Sequence, residues 1–241
     1  MRIDVLAHNS RLKDINPIEK FLFTFITILF LLMSKNNVVI LFIFFKLNIV
    51  TVYCAGIRVR DTVKLYLMPI VVILFSIIPI LISIKNGKIY ILESDIHYSV
   101  FLFSRAVAML SAVYLFILNT TIPDTEYLFS KLKVSGTVIE IIMLTYRYIF
   151  FIMELSQKIY SAQTARNGYC SYKQKLNSLA MLMLSLLIKS FVHAKRSAAS
   201  MEARGYSGQI DFRGIRKKSS LYSYIYIAVW IIILFIIEFW R

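Results

Sequence analysis

The stretch Leu65–Ile84, LYLMPIVVILFSIIPILISI, decides the fold class because it runs for twenty residues without a charged side chain. An α-helix needs roughly 20 apolar residues to cross the hydrocarbon core of a bilayer. Other apolar stretches, 13 to 22 residues long and with at most one charge each, occur at Phe21–Met33, Val38–Ile57, Tyr98–Asn119 and Leu221–Ile237. We therefore predict an all-α integral membrane protein with about five transmembrane helices.

The composition of the 241-residue chain also favours a membrane protein. Hydrophobic residues make up 59% of it, whereas soluble domains contain about 45–50% apolar residues. The two cysteines, Cys54 and Cys170, stand far apart, so neither a disulfide scaffold nor a zinc site is indicated. We expect no removable signal peptide, because the first apolar run follows a polar arm and lacks a small-residue cleavage site.

The positively charged residues indicate how the spans are oriented. If the N-terminus is cytoplasmic, the inner segments 1–20, 55–64 and 120–220 hold 22 of the 28 Lys and Arg residues. Cytoplasmic loops of membrane proteins carry such an excess, so we predict a multi-pass protein of the cell membrane with a cytoplasmic N-terminus. Because the basic residues lie in loops and at helix ends, the net charge of +15 does not indicate nucleic-acid binding.

We divide the chain into an N-terminal arm with four transmembrane helices at 1–119, a cytoplasmic region at 120–218 and a C-terminal transmembrane helix at 219–241. The cytoplasmic region contains two helical patterns, 137–166 and 173–204, that mix apolar stretches with charges. The apolar core of each pattern is only 13 residues long. This length favours long amphipathic helices at the membrane surface, and two further spans are the alternative.

Each long helical pattern ends in a similar short motif, Ala-Arg followed by asparagine or glycine. The six motif residues are Ala165, Arg166, Asn167, Ala203, Arg204 and Gly205. A cation followed by glycine is common at a helix C-terminus, but that alone does not explain two copies that are each followed by a tyrosine. Arginine keeps its charge in proteins and its planar guanidinium suits carboxylates. We therefore predict that the two arginines dock onto a partner protein.

No motif for catalysis or nucleotide binding is present: the chain has no Walker-type phosphate loop, no HExxH and no GxSxG. We predict a protein that is not an enzyme and holds no metal or cofactor. The histidines His8, His97 and His193 are scattered and are better explained as surface or packing residues. Charges inside predicted spans often mark function, but Arg105 can reach the outer membrane surface and Lys46 can face a neighbouring helix.

Taken as a whole, the sequence resembles the transmembrane T component of energy-coupling factor (ECF) importers, a type of ABC transporter. The resemblance rests on the paired Ala-Arg-x motifs, on the arm at residues 3–20, on Leu144–Tyr148 and on Met201–Gly208. These segments are similar to the cobalt-type branch, called CbiQ. Asn167 departs from the family pattern, which often has glycine or serine at the third position of the first motif.

The resemblance implies a non-catalytic transport subunit with two coupling helices, whose arginines Arg166 and Arg204 dock onto two ABC-type ATPases that bind the ATP. It also implies a separate membrane subunit that binds the substrate. The expected cargo is cobalt, or else nickel. Membrane lipid is expected to surround the spans. The T component would pass the movement of the ATPases to that subunit. A vitamin importer of the same type is an alternative, and a membrane enzyme or a stand-alone transporter is the alternative from a different class.

Overall fold

The structure is a computed structural model that describes residues 2–81, 83–85, 88–90, 93–206 and 221–239. The helices in chain order are α1 (Arg2–Asn9), α2 (Pro17–Met33), α3 (Asn37–Ile49), α4 (Val59–Leu81), α5 (Glu93–Asn119), α6 (Ile122–Lys131), α7 (Gly136–Ala165), α8 (Tyr172–Ala203) and α9 (Leu221–Phe239). A π-helical turn, Val50–Cys54, extends α3. Strands β1 (Ser83–Lys85) and β2 (Lys88–Tyr90) form one small antiparallel hairpin. Apart from this hairpin, all the regular secondary structure of the described residues is helical, which confirms the predicted fold class.

Five helices of the described chain are long and apolar enough to cross a membrane: Asn37–Cys54, Val59–Ile80, Ile96–Asn119, Tyr172–Ala203 and Leu221–Glu238. Five is the predicted number, but the set differs in one member. Helix α2, predicted as a span, has 17 residues and is not among these five. Helix α8 qualifies instead, although its mean hydropathy of 1.5 is below the 2.0–2.3 of the other four.

The helix starts follow from local sequence. The Asn16 side chain accepts a 3.0 Å hydrogen bond from the backbone N–H of Ile18, and Pro17 opens α2 where its missing N–H costs nothing. Asn36 caps α3 in the same way, through a 3.0 Å bond from the N–H of Val38. Both caps satisfy N–H groups that a helix start leaves without intrahelical partners.

The chain forms two compact units. One comprises Met1–Thr125 and Ile215–Arg241, and the other comprises Glu126–Gly214. In the first unit α5 is the central element and contacts α1, α2, α3 and α4. Its small residues Ala108 and Ala112 are fully buried, which lets neighbouring membrane helices approach closely. The second unit contains α7 and α8 and therefore both Ala-Arg-x motifs.

Candidate functional site

Helices α7 and α8 form an antiparallel hairpin within the second unit. Three contacts along the hairpin join Gln163 to Ser178, Phe151 to His193 and Glu140 to Tyr206. From one contact to the next, the residue number decreases in α7 and increases from Ser178 in α8 to Tyr206 just after it. The two helices therefore run in opposite directions. The short connection between them, residues 166–171, is consistent with antiparallel neighbours.

The antiparallel arrangement places the two motifs at opposite ends of the hairpin. Arg166 is the C-cap residue of α7, and Arg204 is the C-cap residue of α8. Helix α8 has 32 residues, which corresponds to a length of roughly 48 Å at about 1.5 Å per residue. The two arginines are therefore separated by most of the length of a long helix. Sequence analysis had not predicted this separation.

The first motif forms the last turn of α7 and ends in a Schellman motif, a double hydrogen bond that closes a helix. The N–H of Gly168 donates to the carbonyl of Gln163 at 2.9 Å, and the N–H of Asn167 donates to the carbonyl of Thr164 at 3.0 Å. Asn167 adopts the left-handed conformation with a φ of 56°. This is the conformation that the residue after the C-cap needs in a Schellman motif.

The second motif closes α8 with the same pair of bonds. The N–H of Tyr206 donates to the carbonyl of Met201 at 3.1 Å, and the N–H of Gly205 donates to the backbone carbonyl of Glu202 at 2.9 Å. Gly205 has a φ of 80°. The third motif position is therefore left-handed in both copies, and glycine and asparagine adopt that conformation most readily. The departure at Asn167 thus preserves the backbone geometry of the motif.

Both arginines are available to a partner. All six motif residues are exposed, and in the described part of the chain neither Arg166 nor Arg204 forms an ion pair or a side-chain hydrogen bond. Each arginine is the C-cap residue of its helix, at the end where the helix dipole is negative and a cation is favourable.

The end that carries Arg166 is held by a dense local network. Gln163 donates from its amide to the carbonyl of Ser178 at 3.0 Å and accepts a 2.7 Å bond from the Tyr169 hydroxyl. The Ser178 hydroxyl donates to the carbonyl of Gly168 at 2.7 Å. A Cβ atom at Gly168 would lie 2.7 Å from that hydroxyl and 2.9 Å from the Gln163 carbonyl oxygen, so this turn requires glycine.

In the part of the chain that the structure describes, one long-range side-chain bond holds the end that carries Arg204. The Tyr206 hydroxyl donates to the Glu140 carboxylate near the start of α7. Glu140 is buried, with 7% of its surface exposed. Because the carboxylate accepts this hydrogen bond, the pKa of the Tyr206 phenol is raised above its ordinary value. Tyr206, which directly follows the second motif, therefore links the C-terminal end of α8 to the start of α7.

The hairpin is strongly basic. Nine Lys or Arg residues and three Glu residues lie between residues 136 and 206. One of these acids is neutralised locally, because Lys158 contacts Glu154 at 2.6 Å one helical turn away and lowers the pKa of that carboxyl. The field around the two arginines thus favours an acidic partner surface.

The other predicted residues lie apart from the motifs. His8 and His97 are exposed on α1 and α5, whereas His193 stacks on the Phe151 ring at 3.7 Å between centroids. Within the described residues no group of three His, Cys, Asp or Glu side chains is arranged to hold a metal ion. Arg105 donates to the backbone carbonyl of Ser34 in the first unit.

Sequence analysis missed the residues that hold the motifs in place. These supporting residues are Glu140, Gln163, Gly168 and Ser178. The tyrosine that follows each motif was the available signal, since both Tyr169 and Tyr206 donate to the supporting residues. Their partners carried no signal of their own, because a lone glutamine or serine in a helix is common.

A multi-pass helical membrane protein with two exposed arginines at the ends of one hairpin fits the transmembrane component of a transporter that works with partner subunits. Comparison with protein families agrees with this class. The model of the CbiQ family, described as "Cobalt transport protein", matches residues 8–213. The chain belongs to this family of transmembrane components of ECF transporters, as the resemblance in the sequence predicted.

Individual relatives extend the similarity over nearly the whole chain. An uncharacterized protein of Methanocaldococcus jannaschii is 25% identical over 98% of this chain and 92% of its own length. The energy-coupling factor transporter transmembrane protein EcfT of Brevibacillus brevis is 26% identical over 96% of this chain and 94% of its own. The cobalt transport protein CbiQ of Rhodobacter capsulatus is 30% identical, and that alignment covers 43% of each chain.

Proposed function

We propose that this chain is the coupling subunit of an ECF-type importer and that Arg166 and Arg204 dock onto two ATPase subunits. The observation that carries the proposal is the pair of exposed arginines that cap opposite ends of one helical hairpin. Two helix ends with the same backbone geometry suit two similar partners, because each arginine is followed by a left-handed residue. The family membership supports the same role.

In this proposal the hairpin converts movement of the ATPases into movement at the membrane. An ATPase bound at each end would displace that end when the two ATPases approach or separate. Because Gln163 and Tyr206 bond the two helices together near their ends, displacement of one end is transmitted along the hairpin. The chain itself would supply no catalytic group and no ATP site, and ATP would be bound by the ATPases.

A separate substrate-binding membrane subunit would receive that movement. Helix α8 offers an apolar surface to such a subunit or to lipid, since Met183, Leu187 and Phe191 are 67%, 57% and 63% exposed. Exposed apolar side chains at spacings of four residues lie on one side of a helix. Orientation follows the charge distribution, with the N-terminus and both motifs in the cytoplasm. This placement requires α8 to lie along the membrane surface and not across the bilayer, because the two motifs lie at opposite ends of the hairpin.

Cobalt, or else nickel, is the cargo that we propose. The family description and the name of the Rhodobacter capsulatus relative both refer to cobalt transport. The metal would be held by the substrate-binding subunit and not by this chain. A vitamin importer would use the same docking geometry, so the substrate has to be measured separately, as uptake of labelled cobalt or nickel ions by cells that express the complete transporter.

The docking role is tested by co-purification of the ATPase subunits with the wild-type chain, with Arg166→Glu, with Arg204→Glu and with the double variant. Loss of one partner of a buried charge pair costs about 2–5 kcal/mol, so each single reversal should weaken binding by at least about thirtyfold. The double variant should bind no ATPase. Membrane insertion and an unchanged thermal midpoint would show that the variant is folded.

The control is Arg196→Glu, which changes an exposed arginine on the same helix by the same charge. We expect Arg196→Glu to retain most of the ATPase. Equal loss in Arg196→Glu and Arg204→Glu would mean that a general basic field, and not the capped helix end, binds the partner. Full retention of the ATPases by the folded double variant would refute the docking role.

A further inference from the structure

Lys46 places a positive charge inside a candidate membrane span. It lies on α3, within the apolar stretch Asn37–Cys54, and is half-buried. A charged side chain in that position is costly unless other groups stabilise it. The surroundings of Lys46 therefore show what the charge is used for.

The Lys46 ammonium lies against two aromatic rings of α9. Its Nζ atom is 3.5 Å from the centroid of the Trp230 ring and 5.7 Å from that of Tyr226. Cations within about 6 Å of an aromatic centroid are attracted by the electron-rich face of the ring, and tryptophan is the strongest partner. The two rings stand one helical turn apart on α9, so they form an aromatic box for one cation.

The box is fixed from its other side by α2. The Trp230 ring N–H donates to the Thr27 hydroxyl at 3.0 Å, and that hydroxyl donates to the carbonyl of Phe23 at 2.7 Å. Trp230 and Thr27 are 1% and 0% exposed. The Phe23 ring lies 5.9 Å from both Trp230 and Tyr226. Three helices thus meet at one indole ring.

These contacts restrict how α9 can sit in the bundle. A rotation of α9 would move Trp230 away from the Thr27 hydroxyl, and a shift along its axis would move both rings past the ammonium. A second polar contact lies two turns further along α9, where the Ser34 hydroxyl donates to Glu238 at 2.8 Å. Most other contacts of α9 are apolar and do not specify a register by themselves.

We propose that Lys46 is a positioning residue whose cation, seated in the box of Tyr226 and Trp230, sets the rotation and depth of α9. The charge in the span is then part of the assembly of the bundle and not part of a path for a transported ion. The inference goes beyond the docking function and does not depend on it. All residues involved belong to the first unit of the chain.

The position of α9 can be measured by cross-linking. In a background with Cys54→Ser and Cys170→Ser, the pair Ser34→Cys and Glu238→Cys reports α9 when treated with a short bifunctional thiol reagent. A second pair, Asn37→Cys with Ser104→Cys, reports α3 against α5, because the native side chains contact each other at 2.9 Å. The reagent is added at a series of temperatures. The half-loss temperature of a pair is the temperature at which its cross-linking yield falls to half.

We expect Lys46→Met to lower the half-loss temperature of the 34–238 pair by roughly 5 °C and to leave the 37–104 pair unchanged. Lys46→Arg keeps the cation and should restore the wild-type temperature. Lys64→Met removes an exposed lysine on α4 and should change neither pair.

Three results would overturn the proposal. The first is an unchanged half-loss temperature of the 34–238 pair in Lys46→Met. The second is an equal fall of both pairs, which would make Lys46 a general contributor to stability. The third is a loss of α9 position in Lys46→Arg as large as that in Lys46→Met.

Discussion

The two ends of the α7–α8 hairpin present the same arginine in the same backbone geometry but hold it in different ways. At the first end Gln163, Gly168 and Ser178 bond to one another across a connection of a few residues. At the second end one bond, from Tyr206 to Glu140, joins residues 66 positions apart in the chain. The backbone geometry of each motif is therefore set by its own helix end. Its placement is set by the side chains that the neighbouring helix brings beside it.

The difference has consequences for how the two ends respond to force. The first end can move only with the whole connection between α7 and α8, because several bonds would have to break together. Among the described residues, the second end is held by one hydroxyl, that of Tyr206. We therefore expect the Arg166 end to behave as a rigid corner and the Arg204 end as the more adjustable of the two.

The largest effect should come from Gly168→Ala. The new Cβ atom would lie 2.9 Å from a backbone oxygen that cannot rotate away, so the connection itself must shift, at about 2 kcal/mol. For a chain of this size that corresponds to a fall of roughly 4–8 °C in the thermal midpoint. Thermal unfolding in detergent measures the change.

The matched control for this substitution is Gly136→Ala at the start of α7, where a Cβ atom meets nothing within 4 Å. Alanine there should be neutral or stabilising by about 0.5–1 kcal/mol, because glycine disfavours helix. Equal midpoints for Gly168→Ala and Gly136→Ala would show that the first end is not tightly packed.

A smaller effect is expected when the tyrosines are changed to phenylalanine. Tyr206→Phe leaves the buried Glu140 carboxylate without its donor and should lower the thermal midpoint by about 2–4 °C. Tyr169→Phe should change it less, because Gln163 still bonds to Ser178 at the first end. Tyr172→Phe, at a position that is 78% exposed, is the control. A larger fall in thermal midpoint for Tyr169→Phe than for Tyr206→Phe would contradict this expected order of the two ends.

The same bond predicts a dependence on pH. The pKa of Tyr206 is raised in the folded chain because its hydroxyl donates a hydrogen bond to the Glu140 carboxylate. Its contribution to stability is therefore complete below the ordinary tyrosine pKa of about 10 and is lost as the pH rises through the raised value. The difference in midpoint between wild type and Tyr206→Phe should accordingly persist at neutral pH and shrink in strong alkali. An unchanged difference at high pH would contradict the assignment.

Much of the fold was predictable because its physical determinants are local. A bilayer fixes the length of an apolar span, and Asn16 and Asn36 cap the helices that follow them. The boundaries of α7 and α8 agreed with the predicted patterns to within one residue at each end. Helix α8 was harder, since an apolar stretch of intermediate hydropathy suits either a span or a surface helix.

The site was predictable only in part, for a physical reason. Repetition of Ala-Arg-x made the motif residues recognisable in the sequence, because each copy is complete within three consecutive positions. Their supports were not visible, since the contact between Tyr206 and Glu140 depends on how α7 and α8 are aligned. The same holds for Lys46, whose role became apparent only when α9 placed Trp230 beside it. Contacts between distant segments are decided by packing and not by the local pattern.

The smallest effect should come from an exchange of the left-handed residues. Asn167→Gly removes the steric cost of a side chain at a φ of 56° but adds freedom to the unfolded chain. These two changes oppose each other, so we expect a net change in unfolding free energy within about 0.5 kcal/mol. Gly205→Asn should be similarly mild, whereas Gly205→Ala should cost about 1 kcal/mol because alanine disfavours that conformation.

Binding of the ATPases then distinguishes two roles for the third motif position. If that position serves only to turn the backbone, Asn167→Gly and Gly205→Asn will each bind ATPase as the wild type does, and only the alanine variant will bind less. If Asn167→Gly binds several times more weakly at an unchanged thermal midpoint, the asparagine side chain itself contacts the partner. The two ends would then differ in what they recognise as well as in how they are held, and each ATPase would meet a chemically distinct surface.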